Sequence, residues 1–275
     1  MTVKTEGALA RLHAAQGRLP PALQRIALQM LGQPAEVVYQ SVTELAELAG
    51  AGEASVIRLC RDLGFRGFQD FKLALAVDLA TGPTPEDSSD PVVKATEQAR
   101  AVLDATRHVL STASLEHAAG LLIRAPRIEV TGQGASGVTA LDFAYKLLRL
   151  GLPAQGHRDA HLAAMAAAVL PPSGVVIGIT RSGSTMDTVH ALKLVKGMGR
   201  ASIAVTEHHR SPAARAADCV LLSSGLEGPL AGGSTASKIG QMIVLEALHL
   251  TLLQQSPETE QSIRLTAEAV VEKNV

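Results

Sequence analysis

Apolar residues recur at three- and four-residue spacing through the first eighty or so positions, and that period predicts helices throughout. Leu9 and Leu12 open the pattern, and Leu23, Ile26, Ala27, Met30 and Leu31 continue it. Ser41-Val-Thr-Glu44 is a capping box ahead of Leu45, Ala46, Leu48 and Ala49. Gly50-Ala-Gly52 breaks that helix. A new helical run covers Glu53 to Leu63 and stops at Gly64, and a third covers Phe68 to Leu79. After helical runs from about Val92 to Arg124 the period changes. Short apolar runs now alternate with helical ones. The runs 127–131, 153–157, 174–180, 201–206 and 218–223 read as strands. The runs 138–150, 160–170, 186–198, 235–253 and 258–272 read as helices. Such alternation predicts an α/β domain: a five-stranded parallel sheet of flavodoxin-like order with helices on both faces.

Between the two patterns lies Thr81-Gly-Pro-Thr-Pro-Glu-Asp-Ser-Ser-Asp-Pro91, whose three prolines mark a linker. The expected organisation is an all-α domain over 1–80, a linker over 81–91 and the α/β domain over 92–275. There is no internal repeat.

Composition narrows the classes. Hydrophobic residues make up 47% of the 275 and charged residues 19%, so a large core is available and wholesale disorder is excluded. No uncharged apolar run of about 18 residues suggests a membrane span. The first twenty residues lack the apolar stretch of a secretory signal. Cys60 and Cys219 alone cannot build a disulfide framework. A reduced, cytoplasmic protein is expected. The net charge of −1 gives no global basic field, and with no Trp, four Phe and two Tyr there is no aromatic platform for sugars or single strands.

Two short helices around a glycine-containing turn are the sequence picture of a helix-turn-helix. The second, Glu53–Leu63, would enter the major groove. Val56, Leu59, Cys60 and Leu63 take core spacing, which turns Ser55, Arg58 and Arg61 to the other side. Thr43, Arg66 and Lys72 complete the candidate DNA-facing set; basic residues cluster between 58 and 72. The alternative is an αα-hairpin that only packs, since eight acids up to Asp78 balance the basic residues of this segment. Phe65, Phe68 and Phe71 read as core, and Cys60 as a buried small hydrophobe.

Two loops carry the candidate chemistry of the second domain. Gly132-Gln-Gly134-Ala-Ser136-Gly137 follows the first strand and opens a helix. That spelling fits a dinucleotide fingerprint, with Asp159 as the distant acid. Asp159 could equally cap the next helix. Thr180-Arg-Ser182-Gly183-Ser184-Thr185 follows the third strand and opens another helix. Hydroxyls and free N–H groups at a helix N-terminus make an anion site. In a 2-1-3-4-5 sheet these two loops flank the switch point, so one phosphate held from both sides fits better than a dinucleotide. Helix capping by the same Ser and Thr is the competing account. For catalysis, His157, His161, His208, His209, Glu207 and Glu227 are candidate bases by type only, with His208-His209 read as a solvated loop pair. No metal-ligand spacing occurs.

Residues 41–75 resemble the N-terminal domain of the RpiR/MurR family of bacterial regulators, nearly throughout Glu53–Lys72. Ala51-Gly52 departs from the family's Val-Ser, which implies a weaker cap on an intact motif. Residues 125–255 resemble the sugar isomerase (SIS) domain. Gly132-x-Gly134-x-Ser136 matches its first motif and Thr180-x-Ser182-Gly183-x-Thr185 its second, with Thr180 where serine is usual. The resemblance implies a sugar phosphate held by Gly134, Ser136, Thr180, Ser182, Gly183, Ser184 and Thr185. Gly232–Lys238 resembles the segment that precedes the long helix in these regulators, and Gln133 or Glu227 could also contact the sugar.

The resulting expectation is a transcriptional regulator, not an enzyme. It binds double-stranded operator DNA, is controlled by a phosphorylated sugar, and needs no cofactor, metal or membrane. Specificity from one recognition helix is too small for a regulator, so a dimer or tetramer is expected, with the apolar helix 239–253 as its interface. A sugar-phosphate isomerase with an accessory helical domain, or a dinucleotide-binding protein, are the alternatives.

Overall fold

The computed structural model describes residues 7–80, 90–225 and 235–271. They fall into two compact units: 7–80 in the first, the remainder in the second.

The first unit is helical: α1 Ala8–Ala15, α2 Pro21–Gly32, α3 Pro34–Val37, α4 Val42–Leu48, α5 Glu53–Asp62 and α6 Phe68–Ala80. The four-residue α3 and a 3₁₀ turn at Gln16–Arg18 have too few residues to show a period, and the sequence did not reveal them. Leu12, Ile26, Met30, Leu45, Val56, Leu59, Cys60, Phe71 and Leu75 form one core. Phe65 meets Phe71 edge-on at 5.3 Å, as core residues do. Burial pushes the Cys60 thiol up to about 12, which keeps it protonated and unreactive.

The second unit carries α7 Pro91–Val109, α8 Thr112–Ile123, β1 Ile128–Gly132, α9 Ala135–Arg149, β2 Ala154–His157, α10 Ala160–Ala168, β3 Val175–Ile179, α11 Met186–Gly197, β4 Ala201–Thr206, α12 Pro212–Ala216, β5 Cys219–Leu222, α13 Thr235–Gln255 and α14 Glu258–Val271. The sheet is parallel with order β2-β1-β3-β4-β5, so the strand order reverses between β1 and β3. One face carries Ile128, Val130, Ile177, Ile203 and Val205, packed with α8, α9 and α13. Val176 and Ala204 on the other face pack with Ala167, Leu192, Val195 and Ala213 from α10, α11 and α12.

Several boundaries differ from the sequence pattern. Linker residues 81–89 lie outside the described residues. Pro91 is not linker: it is the first residue of α7, whose N-terminus Asp90 caps through the Val92 N–H. The helical runs over 92–124 are two helices, as the pattern allows, and Ser111 caps the second. Five-residue α12 was too short to register. Helix α9 starts at Ala135 rather than Val138.

Helix α13 is apolar around much of its girth because α7, α8 and α9 of its own unit pack against it. By length and composition it could cross a membrane, yet its Val244, Leu245, Leu248 and Leu252 are buried in the domain core. Exposed apolar residues lie on several helices: Met242, Ile243 and Leu250 on α13, Val138, Leu141, Tyr145 and Leu148 on α9, and Leu162 and Met165 on α10 with Val169 just after it.

Candidate functional site

In the first unit, α4 and α5 form the two limbs of the helix-turn-helix. The Ser41–Glu44 capping box is present in both directions, at 3.1 Å and 2.7 Å. Gly50 takes φ +57° in the turn, and the Ala51 N–H closes it onto the Ala46 carbonyl at 2.9 Å. Arg25 donates to the carbonyls of Ala49 and Gly50, so this arginine ends α4 and is spent on the fold. Gly52 begins α5 with no side-chain cap, as the departure from serine implies.

Val56, Leu59 and Cys60 of α5 are buried, and Arg58 and Arg61 are exposed. Arg58 faces only Asp62, one turn away at 3.8 Å, with both side chains at least half exposed. Such a pair is worth little and opens readily. Thr43 donates to Glu53 at 2.6 Å, linking the start of α4 to the start of α5, and Ser55 is half-buried. Arg66 is exposed and pairs with Asp70, whose carboxyl is held low mainly by the Arg66 backbone N–H, then by its guanidinium. Lys72 differs from the rest. Its ammonium donates to the Gln40 carbonyl at 3.0 Å and sits 5.1 Å over the Phe68 ring, and burial lowers its pKa. That charge closes the helical core and is not presented to a groove.

In the second unit, the loops after β1 and β3 meet at the switch point. They line a cleft of about 220 Å³ together with the first turns of α13. Its walls are Gln133, Ala135, Ser136, Arg181, Ser182, Thr185, Ser237, Lys238 and Gln241. Glycine is required twice to make it. Gly134 takes φ +57° and ψ −124°, closed to other residues, and so turns the chain into α9. Gly183 takes φ +65°, and a Cβ there would lie 2.0 Å from the Ser211 hydroxyl.

The capping alternative can be tested directly. Ser111, Asp159 and Ser211 cap α8, α10 and α12 with their side chains. Helices α9 and α11, whose N-termini face the cleft, have no side-chain cap. Thr185, at the N-cap of α11, instead shares a hydrogen bond with the Thr180 hydroxyl at 2.9 Å. The loop hydroxyls are therefore not used as caps, and the first-turn N–H groups of both helices carry the positive end of the helix dipole toward the cleft. Asp159, the acid a dinucleotide would need, caps α10 through the Leu162 N–H at 2.9 Å.

Three predicted residues, Ser136, Ser182 and Thr185, line the cleft. Thr180 does not present itself there: it is 1% exposed and supports Thr185 from behind. Ser184 folds onto Ser182, donating its N–H to the Ser182 hydroxyl at 3.2 Å. Gly134 and Gly183 act through backbone conformation. The sequence reading missed Arg181 and Gln241. Arg181 falls inside the second motif, and its neighbourhood was the available signal. Gln241 comes from α13, some hundred residues from its partner. It donates from Nε2 to the Ser136 hydroxyl at 3.0 Å and is 1% exposed. Its Oε1 and the Gln133 Nε2 are buried without a hydrogen-bond partner. An unmet buried polar atom costs about 1–3 kcal/mol, and these two belong to residues that line the cleft.

The candidate bases disperse. His157 is buried on Glu129, with Nε2 2.5 Å from Oε2, and Arg127 holds the other carboxylate oxygen. His161 and His209 are exposed, and Glu227 lies outside the described residues. His208 is half-buried rather than fully solvated, its N–H donating to the Thr206 hydroxyl. Glu207 accepts from the cleft residue Ser237 at 3.0 Å. Among the described residues, no cluster of three or more His, Cys, Asp or Glu could hold a metal.

Comparison with known proteins agrees with both halves. The SIS domain model matches residues 121–251, and the model of the helix-turn-helix domain, rpiR family, matches residues 6–82. An uncharacterized HTH-type transcriptional regulator of Haemophilus influenzae is 33% identical over 285 residues, covering 99% of each chain. The HTH-type transcriptional regulator RpiR of Escherichia coli K12 is 28% identical, covering 79% of this chain and 76% of its own. The solved structure of the Vibrio vulnificus NanR protein complexed with ManNAc-6P matches with a TM-score of 0.84 at 32% identity, over 96% of this chain and 98% of that one. With a rpiR-type helix-turn-helix, an SIS domain and relatives aligned over their full length, this chain belongs to the RpiR family of transcriptional regulators.

Proposed function

We propose that this regulator binds operator DNA through α5 and is controlled by a sugar phosphate held in the cleft between the β1 and β3 loops. The observation that carries the reading is the pair of uncapped helix N-termini aimed at one cleft, together with the hydroxyls of Ser136, Ser182 and Thr185 and the cations Arg181 and Lys238. A phosphate monoester matches that donor set. The ligand crystallised with the Vibrio neighbour is of the same class.

The control follows from where the cleft walls come from. Ser136 sits on α9, Ser182 and Thr185 on the second loop, Ser237 and Gln241 on α13. A ligand bridging all three favours one arrangement of α9 against α13, and its differential affinity for that arrangement is the coupling, typically about 1–3 kcal/mol.

Two recognition helices are needed for operator specificity, and the seat we propose for the second copy is the exposed stripe on α9 and α10. Val138, Leu141, Tyr145 and Leu148 are spaced three, four and three apart. Together they make one apolar face of the helix, which two copies can share in an antiparallel two-fold contact. Helix α13 is the alternative seat: its inner face is buried in its own unit, while Met242, Ile243 and Leu250 are exposed.

An isomerase would need a free base at the sugar's C1–C2. The acid that touches a cleft wall, Glu207, is engaged by Ser237, so we assign no turnover. The test is a thermal-shift screen of the full chain against aldose and ketose phosphates. A ligand at 100 times its Kd should add about 2.7 kcal/mol. Ser182→Ala with Thr185→Ala should abolish the shift and leave the fold intact. A normal response from the double variant would misplace the pocket, and conversion of aldose to ketose phosphate would restore the isomerase reading.

A further inference from the structure

Two carboxamides meet at the cleft, and each leaves one half unsatisfied. Gln241 reaches in from α13, gives its N–H to the Ser136 hydroxyl at 3.0 Å, and keeps Oε1 buried with no donor. Gln133, on the first loop, has the complementary lack: its Nε2 is buried with no acceptor. Both residues line the same cleft as Ser136.

The Ser136 oxygen accepts the Gln241 proton, which leaves its own O–H free to donate. Ser136 lies in the first turn of α9, so an anion at that uncapped N-terminus would be a suitable acceptor. Gln241 thus sets the direction of the Ser136 hydroxyl. The leftover atoms then say what stands beside the anion. The phosphate of a sugar phosphate, as a monoester dianion, only accepts hydrogen bonds, so it can satisfy Gln133 Nε2 but never Gln241 Oε1. A group that both donates and accepts satisfies the pair, and a sugar hydroxyl or an N-acylamino group does so.

We infer that Gln241 and Gln133 read the sugar of the ligand: Gln241 positions the Ser136 hydroxyl toward the phosphate and accepts an O–H or N–H from the sugar, while Gln133 donates to a sugar oxygen. This rests on the proposal that the cleft takes a sugar phosphate. It goes further by dividing the cleft into a phosphate side and a sugar-reading side. A polar residue on α13 that touches both sides also carries sugar identity to that helix.

The experiment is titration calorimetry on the full chain with inorganic phosphate, glucose 6-phosphate, glucosamine 6-phosphate and N-acetylmannosamine 6-phosphate. Wild type should bind at least one sugar phosphate ten-fold or more tighter than inorganic phosphate. Gln133→Met should erase that preference, weakening the sugar phosphate at least ten-fold and inorganic phosphate less than two-fold. Gln241→Met should weaken both, since the Ser136 hydroxyl loses its direction, and the sugar phosphate more. Gln241→Glu should be worst of all, because a carboxylate takes the Ser136 proton and repels the phosphate. If either Met variant keeps the sugar phosphate within two-fold, the assignment of that glutamine is overturned. If wild type binds inorganic phosphate as tightly as every sugar phosphate, the sugar-reading pair is overturned while the phosphate site stands. If no phosphate compound binds, the parent reading falls and this one with it. Should Gln241→Met not fold, the half-buried Gln133 carries the test.

Discussion

Replacing Gly183 by alanine should destabilise the second unit by an amount that can be worked from the geometry. The residue sits at φ +65°, and holding an L-residue in that region costs about 1–2 kcal/mol. The added methyl would lie 2.0 Å from the Ser211 hydroxyl, 2.2 Å from its Cβ and 2.9 Å from the Thr206 hydroxyl. Ser211 is 5% exposed and its hydroxyl caps α12, so it cannot simply swing away. Overpacking of this kind costs about 1–3 kcal/mol. The total is roughly 2–5 kcal/mol, and at about 2–4 °C per kcal/mol for a domain of this size Tm should fall by roughly 4–20 °C. Calorimetric melting of the full chain, following the transition of the second unit, reads this. Adding Ser211→Gly should recover part of the loss, because it removes the two nearest atoms but not the backbone strain. A Gly183→Ala protein melting within about 2 °C of wild type would refute the account of why this loop carries glycine.

Other outcomes follow from the same structure. Arg58→Ala and Arg61→Ala should each weaken operator binding by about 1–3 kcal/mol in a fluorescence titration and leave effector binding unchanged; unaltered affinity in both would move the DNA surface off α5. Lys72→Met, by contrast, should leave the salt dependence of DNA binding unchanged, since its ammonium is held by Gln40; a flatter salt slope would return Lys72 to the interface. Burial is the main cause of the lowered His249 pKa, so below pH 6.5 the unfolded chain takes up a proton that the folded chain resists. Stability must then fall as pH drops from about 7 toward the folded pKa, and His249→Gln should flatten that slope in pH-dependent melting. Leu141→Asp with Tyr145→Asp should turn the protein monomeric in sedimentation at micromolar concentration, and an unchanged oligomer would clear the α9 stripe.

Much of the fold was legible because its elements are long enough to show a period. The five strands, the switch between β1 and β3 and the capping box at Ser41 all sit within two residues of where the pattern places them. What the pattern missed is short or set by tertiary contact. Helices α3 and α12 span barely one turn. Helix α13 is apolar on several faces; α7, α8 and α9 of the same unit cover part of it, and Met242, Ile243 and Leu250 stay exposed. Apolarity says that a face is buried but not by what.

The site divides along the same line. Residues local to one loop were readable: Ser136, Ser182 and Thr185 each lie in a strand–loop–helix junction whose chemistry follows from sequence order. Within the loops, the sequence could not separate hydroxyls that face the cleft from those that hold them. Thr180 and Ser184 have the same side-chain chemistry as Thr185 and Ser182, yet one is buried behind the loop and the other is folded onto it. Gln241 was invisible for a further reason. Its neighbours on α13 are apolar, and nothing nearby in the chain says that this helix passes the end of the sheet at Ser136. A buried glutamine in an apolar helix is costly unless something answers both ends of its amide. One end is answered by Ser136. The other, Oε1, is left without a donor, and the phosphate dianion of a sugar phosphate has none to give, so the proposed sugar would have to supply it.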